Sequence, residues 1–246
     1  MLTTMGTLAE ASILQVEDLS ISYKKRMFAL YETYYVGSDE TRFLLDLQMK
    51  SQVILLRDEW ETLQGFSTLA LYEERYDGKP LRIIYSGDTI IDKAFWGQSL
   101  FAKTWLQLAG KLTAKDPEIP LYWLLIVKGH RTYRYLQLFS QDYYPRYGTE
   151  TPASIQALIN HLALRRFGEA YVPEQGLVYF PEPRSFLHPD LAIIPEKDLK
   201  RPEVQFFLSK NPNYTQGDEL VCLCRLEENN LTRFAKRWFL EGAQMM

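Results

Sequence analysis

Asp88 stands directly after Gly87 in the stretch YSGDT. A partly buried carboxylate at such a place has a raised pKa, which suits it to take a proton from an attacking amine. The competing reading is a turn aspartate bonded to Thr89 or nearby backbone. A second concentration of chemistry lies in VKGHRTYRYL, where Lys128, His130, Arg131 and Arg134 crowd a helix start behind an apolar strand. The backbone dipole already presents positive charge there. Four more basic groups call for a bound anion, or else form a solvated patch. His130 titrates near neutrality and is a second candidate base. Tyr133 and Tyr135 sit two apart on that helix, so one faces a cleft and the other the core; Tyr143 and Tyr144 follow.

Other reactive residues point nowhere in particular. Cys222 and Cys224 lie two apart in ELVCLCRL, point to one face of a strand, and read as packed reduced thiols. No metal site is expected, because neither His161 nor His188 has ligand partners at zinc spacing. There is no Gly-x-Ser-x-Gly elbow, Walker loop or dinucleotide fingerprint. With 28 basic and 31 acidic residues the chain carries a net charge of −3, which argues against a nucleic-acid binder. The first twenty residues lack the basic start and apolar run of a secretory signal, and LYWLLIV is too short to span a bilayer. The expectation is a cytoplasmic protein with no membrane span.

These residues need a scaffold, and hydrophobic periodicity outlines one. ILQVED reads as a first strand. Met27, Leu30, Tyr31 and Tyr34 form a helical stripe. A second helix starts at Ser38 as its cap, with Phe43, Leu44 and Leu47 on its apolar side. SQVILLRD, GFSTLALYEERY and LRIIYSGDTIID read as an antiparallel meander with a turn at DGKP. Gly87 interrupts the third strand and predicts a bulge. Leu100, Phe101, Trp105, Leu108, Ala109 and Leu112 share one face of a helix. LYWLLIV reads as a strand covered on both faces, and a helix runs from about Arg131 towards Pro145. In the last hundred residues, TPASIQALINHLALRRFG is a helix with Thr151 as cap and Gly168 at its end. Residues 171–212 are proline-rich ordered loops and short strands. ELVCLCRL is a late strand, and NNLTRFAKRWFL is an amphipathic helix with Leu231, Phe234, Ala235 and Trp238 inward.

The order of strand, two helices, three antiparallel strands, helix, central strand and helix resembles the GCN5-related N-acetyltransferase fold over roughly residues 13 to 146. The resemblance implies an α/β fold with a mixed, mostly antiparallel central sheet flanked by helices. It implies a strand that bulges at Gly87 and splays from LYWLLIV, with an acyl-coenzyme A arm in the gap. The pyrophosphate would sit on the helix start after KAFWGQSLF, where Gly97 allows close approach. Aligning Gly97 with the family's loop places Trp96 at its Arg/Gln position, Ser99 and Phe101 at small-residue positions, and leaves Gln98 as the polar alternative. Only Ser99 is small. The resemblance further implies a general-acid tyrosine, Tyr133 or Tyr135, and anion contacts from Lys128 and Arg131.

Residues 1–150 are therefore expected to form the acyltransferase-like core. Residues 151–246 form a C-terminal helical and loop extension packed on the same domain, completing the cleft. The expected activity moves an acyl group from acetyl-coenzyme A or a longer acyl-coenzyme A, used as substrate, to an amine acceptor that is a small molecule or peptide. An acyl carrier protein is an alternative source of the thioester. Asp88 or His130 would take the proton. The rival reading is a catalytically inactive binding or regulatory protein on the same fold.

Overall fold

A computed structural model describes residues 6–180 and 185–245. The chain begins with β1 (Leu8–Gln15), α1 (Ile21–Glu32), β2 (Tyr35–Val36) and α2 (Glu40–Gln48). The meander follows as β3 (Gln52–Asp58), β4 (Leu63–Tyr76) and β5 (Lys79–Ile91), then α3 (Leu100–Lys115), β6 (Leu121–Val127) and α4 (His130–Phe139). After α5 (Ala153–Phe167) come β7 (Tyr171–Val172), β8 (Leu177–Val178), β9 (Phe186–Leu187), α6 (Pro189–Ala192), α7 (Glu196–Leu199) and α8 (Pro202–Lys210). The chain ends in β10 (Glu219–Arg225) and α9 (Arg233–Ala243). This is the order the acetyltransferase resemblance implied.

One sheet of eight strands runs β1-β3-β4-β5-β6-β10-β8-β7. Its pairings are antiparallel except β5 with β6, which is parallel. Alternation along each strand then sorts side chains onto two faces. Trp123, Leu125, Cys222 and Cys224 face α3, α4 and α9 in one core, while Leu124, Val221 and Leu223 face α5 on the other side. Farther along that second face, α1 and α2 pack on Val53, Leu55 and Phe66. β10 comes from the C-terminal extension yet pairs with β6 over its length, so the extension shares the core sheet.

Several boundaries differ from the expected ones for local reasons. The cap of α2 is Asp39, whose carboxylate accepts from Arg42 N, while Ser38 donates to Tyr35 O. The N-cap of α5 is Pro152, one residue after the expected Thr151. α4 stops at Phe139 rather than nearing Pro145, because Gln141 N bonds Asn230 O and Tyr144 bridges to Leu223 on β10. On α9 the buried positions are Ala235, Phe239 and Gly242, and Phe234 is exposed. α9 docks tightly on α3: a Cβ on Gly110 would lie 1.9 Å from Phe239 O, and one on Gly242 2.0 Å from Gln107 O. In the proline-rich stretch, residues 181–184 lie outside the described residues.

Candidate functional site

The sheet opens where the bulge was expected. On β4 and β5, Ser67 pairs with Thr89 and Leu69 with Ser86, so Gly87 and Asp88 together oppose the single residue Thr68. β5 and β6 pair from Arg82 and Leu121 to Ser86 and Leu125, and no further. Beyond that point β5 stays with β4, while β6 stays with β10 through Val127. The two strands therefore diverge into a wedge whose facing backbone groups lack a strand partner. A Cβ at position 87 would lie 2.5 Å from Lys50 Cε and 2.6 Å from Thr68 Oγ1, so a side chain there must displace both.

A cleft of about 860 Å³ occupies the wedge and runs between α2, α3, α4 and the extension. The extension reaches it through β9, which pairs with β2 (Tyr35 with Leu187) and places Ser185 against Tyr31, hydroxyl to hydroxyl at 2.8 Å. On the α1–α2 side, four carboxylates line the cleft, Asp39, Asp46, Asp88 and Glu219, and the Arg42 guanidinium lines it beside them. Two have a lysine. Lys50, whose side chain is buried, ion-pairs with Asp46, and Lys128 Nζ lies 3.2 Å from Glu219 Oε1. Among the described residues Asp88 has no ion-pair partner within 4.0 Å. Burial first, then the Asp46 carboxylate, pushes its pKa up to about 7, against the pull of Lys50 and Lys128. Burial also raises Glu219, while Lys128 lowers it. The rings of Tyr31 and Tyr35 stack at 4.6 Å and Lys128 Nζ sits 5.2 Å from the Tyr35 ring.

The basic cluster at the start of α4 is partly paired from within the chain. Lys128 is held by Glu219, and Arg134 Nη1 lies 3.8 Å from Asp198 Oδ1, which Arg201 Nε approaches more closely, at 3.1 Å. Arg131 donates to Leu191 O at 2.8 Å and lies over the Trp96 ring at 4.8 Å. His130 is buried; loss of solvent, then the Arg131 charge, lowers its pKa to about 4. It is a neutral imidazole near pH 7, so it neither adds positive charge nor serves as a strong base. Lys128, His130 and Arg131, the expected anion contacts, all line the cleft, with Lys128 paired to Glu219 and Arg131 without a carboxylate partner among the described residues.

The tyrosine pair resolves cleanly. Tyr133 is fully buried, packs edge-on against Tyr143 and donates to Pro145 O at 2.9 Å, so the structure does not bring it to the cleft. Tyr135 lines the cleft beside Phe139, and burial raises its pKa. At the start of α3, Gly97 has φ +86° and open space around its Cβ position. Ser99 is the N-cap, with its hydroxyl not bonded to the helix. Two neighbours are already committed: Gln98 donates to Gly6 O and accepts from Leu8 N, tying down β1, and Trp96 Nε1 donates to Ile91 O. Residues missed from sequence are Asp46, Lys50 and Glu219. Their meeting is a tertiary event, and the only local signal was a lysine four residues after an aspartate. No group of three metal-ligating side chains occurs among the described residues, and no helix there is long and apolar enough to cross a membrane.

No family model matches this chain, and no curated protein matches it. Among solved structures, a probable N-acyltransferase from Enterococcus faecalis is 15% identical with a TM-score of 0.40, over 55% of this chain and 33% of that one. The chain thus spans about a third of that protein's length. YhbS from Escherichia coli, a GNAT family N-acetyltransferase in complex with CoA, is 13% identical with a TM-score of 0.37, over 52% and 68% of the two chains. NAA60 of Arabidopsis thaliana, in complex with acetyl-CoA, is 13% identical with a TM-score of 0.40, over 55% and 87%. The acetyltransferase-like architecture rests on this chain's own strand order, bulge and wedge.

Proposed function

We propose that this protein moves an acyl group from a coenzyme A thioester to an amine. The observation that carries the reading is the wedge between β5 and β6 with Asp88, a carboxyl that has no ion-pair partner within 4.0 Å among the described residues, at its edge. A thioester arm laid in the wedge meets the unpaired backbone of β5, whose N–H groups polarise the carbonyl, and positioning supplies much of the rate. The phosphates reach the start of α3, where Gly97 leaves room, the Ser99 hydroxyl is free and backbone N–H groups point outward. Of the sequence candidates for this loop, Gln98 and Trp96 fit less well, because their polar atoms are engaged elsewhere.

On the opposite side the amine meets Asp88, beside the ion pairs Lys50–Asp46 and Lys128–Glu219. Asp88, with its pKa near 7, takes the ammonium proton and leaves a neutral nucleophile. Tyr135, on the cleft wall, is the residue placed to donate a proton to the departing thiolate. The donor is the acyl-coenzyme A thioester rather than an acyl carrier protein, and free coenzyme A is the thiol released.

The test is thermal unfolding of the intact chain with coenzyme A, acetyl-coenzyme A and longer thioesters. A ligand at a hundredfold excess over its Kd adds about 2.7 kcal/mol, or roughly 5–10 °C for a chain of this size. No shift with any of them would remove the donor assignment. Binding without turnover of any amine would favour the inactive, regulatory reading.

A further inference from the structure

Lys50 follows the end of α2, where its backbone N–H bonds Leu47 O. Its side chain turns inward and is only 1% exposed. Lysine is among the residues least often buried so fully, and an ammonium taken out of water carries a cost that its partners must offset. Its ion-pair partner Asp46 is 55% exposed. The same pair could form at the surface, so pairing alone does not account for the burial.

The burial places Lys50 at the bulge. Its Cε lies 2.5 Å, and its Nζ 3.2 Å, from the point where a Cβ on Gly87 would stand. Thr68 Oγ1, on the residue opposite the bulge, lies 2.6 Å from the same point. Lys50 and Thr68 thus occupy the space that the glycine leaves empty, and an ammonium comes to rest beside the residue that precedes Asp88. That ammonium donates to the Asp46 carbonyl at 3.2 Å and to the Asp46 carboxylate, and it lies 5.5 Å from the centre of the Tyr85 ring.

We propose that Lys50 is the positioning residue of Asp88: packed against Gly87, it holds a buried positive charge beside the bulge and so favours the ionised carboxylate that accepts the proton. The inference rests on the reading above for the role of Asp88 as base. With no ion pair to Asp88 within 4.0 Å, the attraction acts through space. Other groups face the same carboxyl. Lys128 at the end of β6 also attracts it, less than Lys50 does, while Asp46 on α2 and Glu219 on β10 oppose. Tyr31, Tyr35 and Tyr85 face it as neutral phenols, their ionisation held off by burial.

The experiment reads Asp88 directly, with no thioester or amine present. In the full chain with isotope-labelled aspartate carboxyls, Asp88→Asn identifies its NMR resonance. Lys50→Met keeps the length of the side chain and leaves Asp46 in solvent, so no carboxylate is newly stranded in the interior; Lys50→Gln is a second, polar replacement. In both variants Asp88 should titrate about one pH unit or more above the parent. The sign separates charge from shape, because a substitution that only loosened the bulge would admit water and bring Asp88 down towards an ordinary carboxylate. An unchanged or lowered titration in both variants would overturn the proposal. Thiol release from acetyl-coenzyme A with a panel of amines then ties it to the reaction: the rise of kcat/KM with pH should move upward alongside the titration. A raised titration in a chain whose parent releases no thiol with any amine would remove the acyl-transfer reading and leave Lys50 as the group that sets Asp88.

Discussion

Asp88→Asn replaces a carboxylate by an amide of nearly the same shape, and it tests the proposed base and the charge count of the cleft together. The Asp88 carboxyl rises from an ordinary 3.8 to about 7. An acid with a raised pKa keeps its proton in the folded chain while the unfolded chain releases it. Its contribution to stability is whole below about pH 4 and is lost as pH climbs through about 7. That rise corresponds to about 4 kcal/mol as a ceiling. Asp88 borders an open cleft, so solvent reduces it, and about 1–2 kcal/mol is the expected size. Asparagine carries no ionisation cost and leaves Asp46 and Glu219 balanced by Lys50 and Lys128. The variant should therefore match the parent at pH 4 and melt a few degrees higher at pH 8. Turnover should move the other way. Loss of a general base costs about 10²–10⁴-fold, and the rise of the parent's kcat/KM through about pH 7 should disappear. Thermal unfolding at pH 4, 6 and 8, beside thiol release with a panel of amines, measures both. A variant no more stable at pH 8, with the parent's rate and pH profile, would refute the assignment.

Glu219→Gln and Asp46→Asn each remove a carboxylate that raises Asp88, so the activity limb should shift to lower pH in both; an unmoved limb would dissociate Asp88 from its neighbours. Tyr135→Phe should lower turnover about tenfold or more. Tyr133→Phe should leave turnover intact and cost about 1 kcal/mol through the lost bond to Pro145 O, as read by urea unfolding. The His130 ring resonances should stay flat between pH 5.5 and 8 in NMR titration, because burial holds its pKa near 4. Gly110→Ala pushes a methyl against the Phe239 carbonyl; a loss of about 1–3 kcal/mol is expected, and an unchanged denaturation midpoint would show that α9 is loosely held.

Much of the scaffold was legible because its signals are local. LYWLLIV is β6 without a residue gained or lost, since a strand buried on both faces has no competing period. Gly87 marked the bulge because a side chain there would have to displace Lys50 and Thr68, and its position brought Asp88 to the wedge. Tyr133 and Tyr135 could be separated in direction but not assigned, because which stripe of α4 faces the core depends on α8, Tyr143 and Phe207 packing against it. Phe234 fits the inward stripe of α9 by period. The close approach at Gly110 and Gly242 instead turned the helix so that Ala235 and Phe239 are buried. Arg82 is another tertiary surprise. Its guanidinium sits inside the fold, donating to the carbonyls of Leu112, Asp116 and Ile119 at the end of α3, where a cation suits the helix dipole.

The crowding of basic residues at the start of α4 shows what composition by itself leaves open. Of four groups that read as a positive patch, two meet carboxylates from distant parts of the chain. Glu219 on β10 holds Lys128, and Asp198 on α7 is shared by Arg134 and Arg201. A carbonyl on α6 and the Trp96 ring hold Arg131, and burial keeps His130 neutral. Both carboxylates come from the C-terminal extension, so that extension changes the electrostatics of the cleft as well as its shape. Arg131 keeps its charge, and one carboxylate serves both Arg134 and Arg201. Cations and carboxylates therefore both line the cleft, and it is the burial of Asp88, rather than a net excess of acid, that sets its pKa apart.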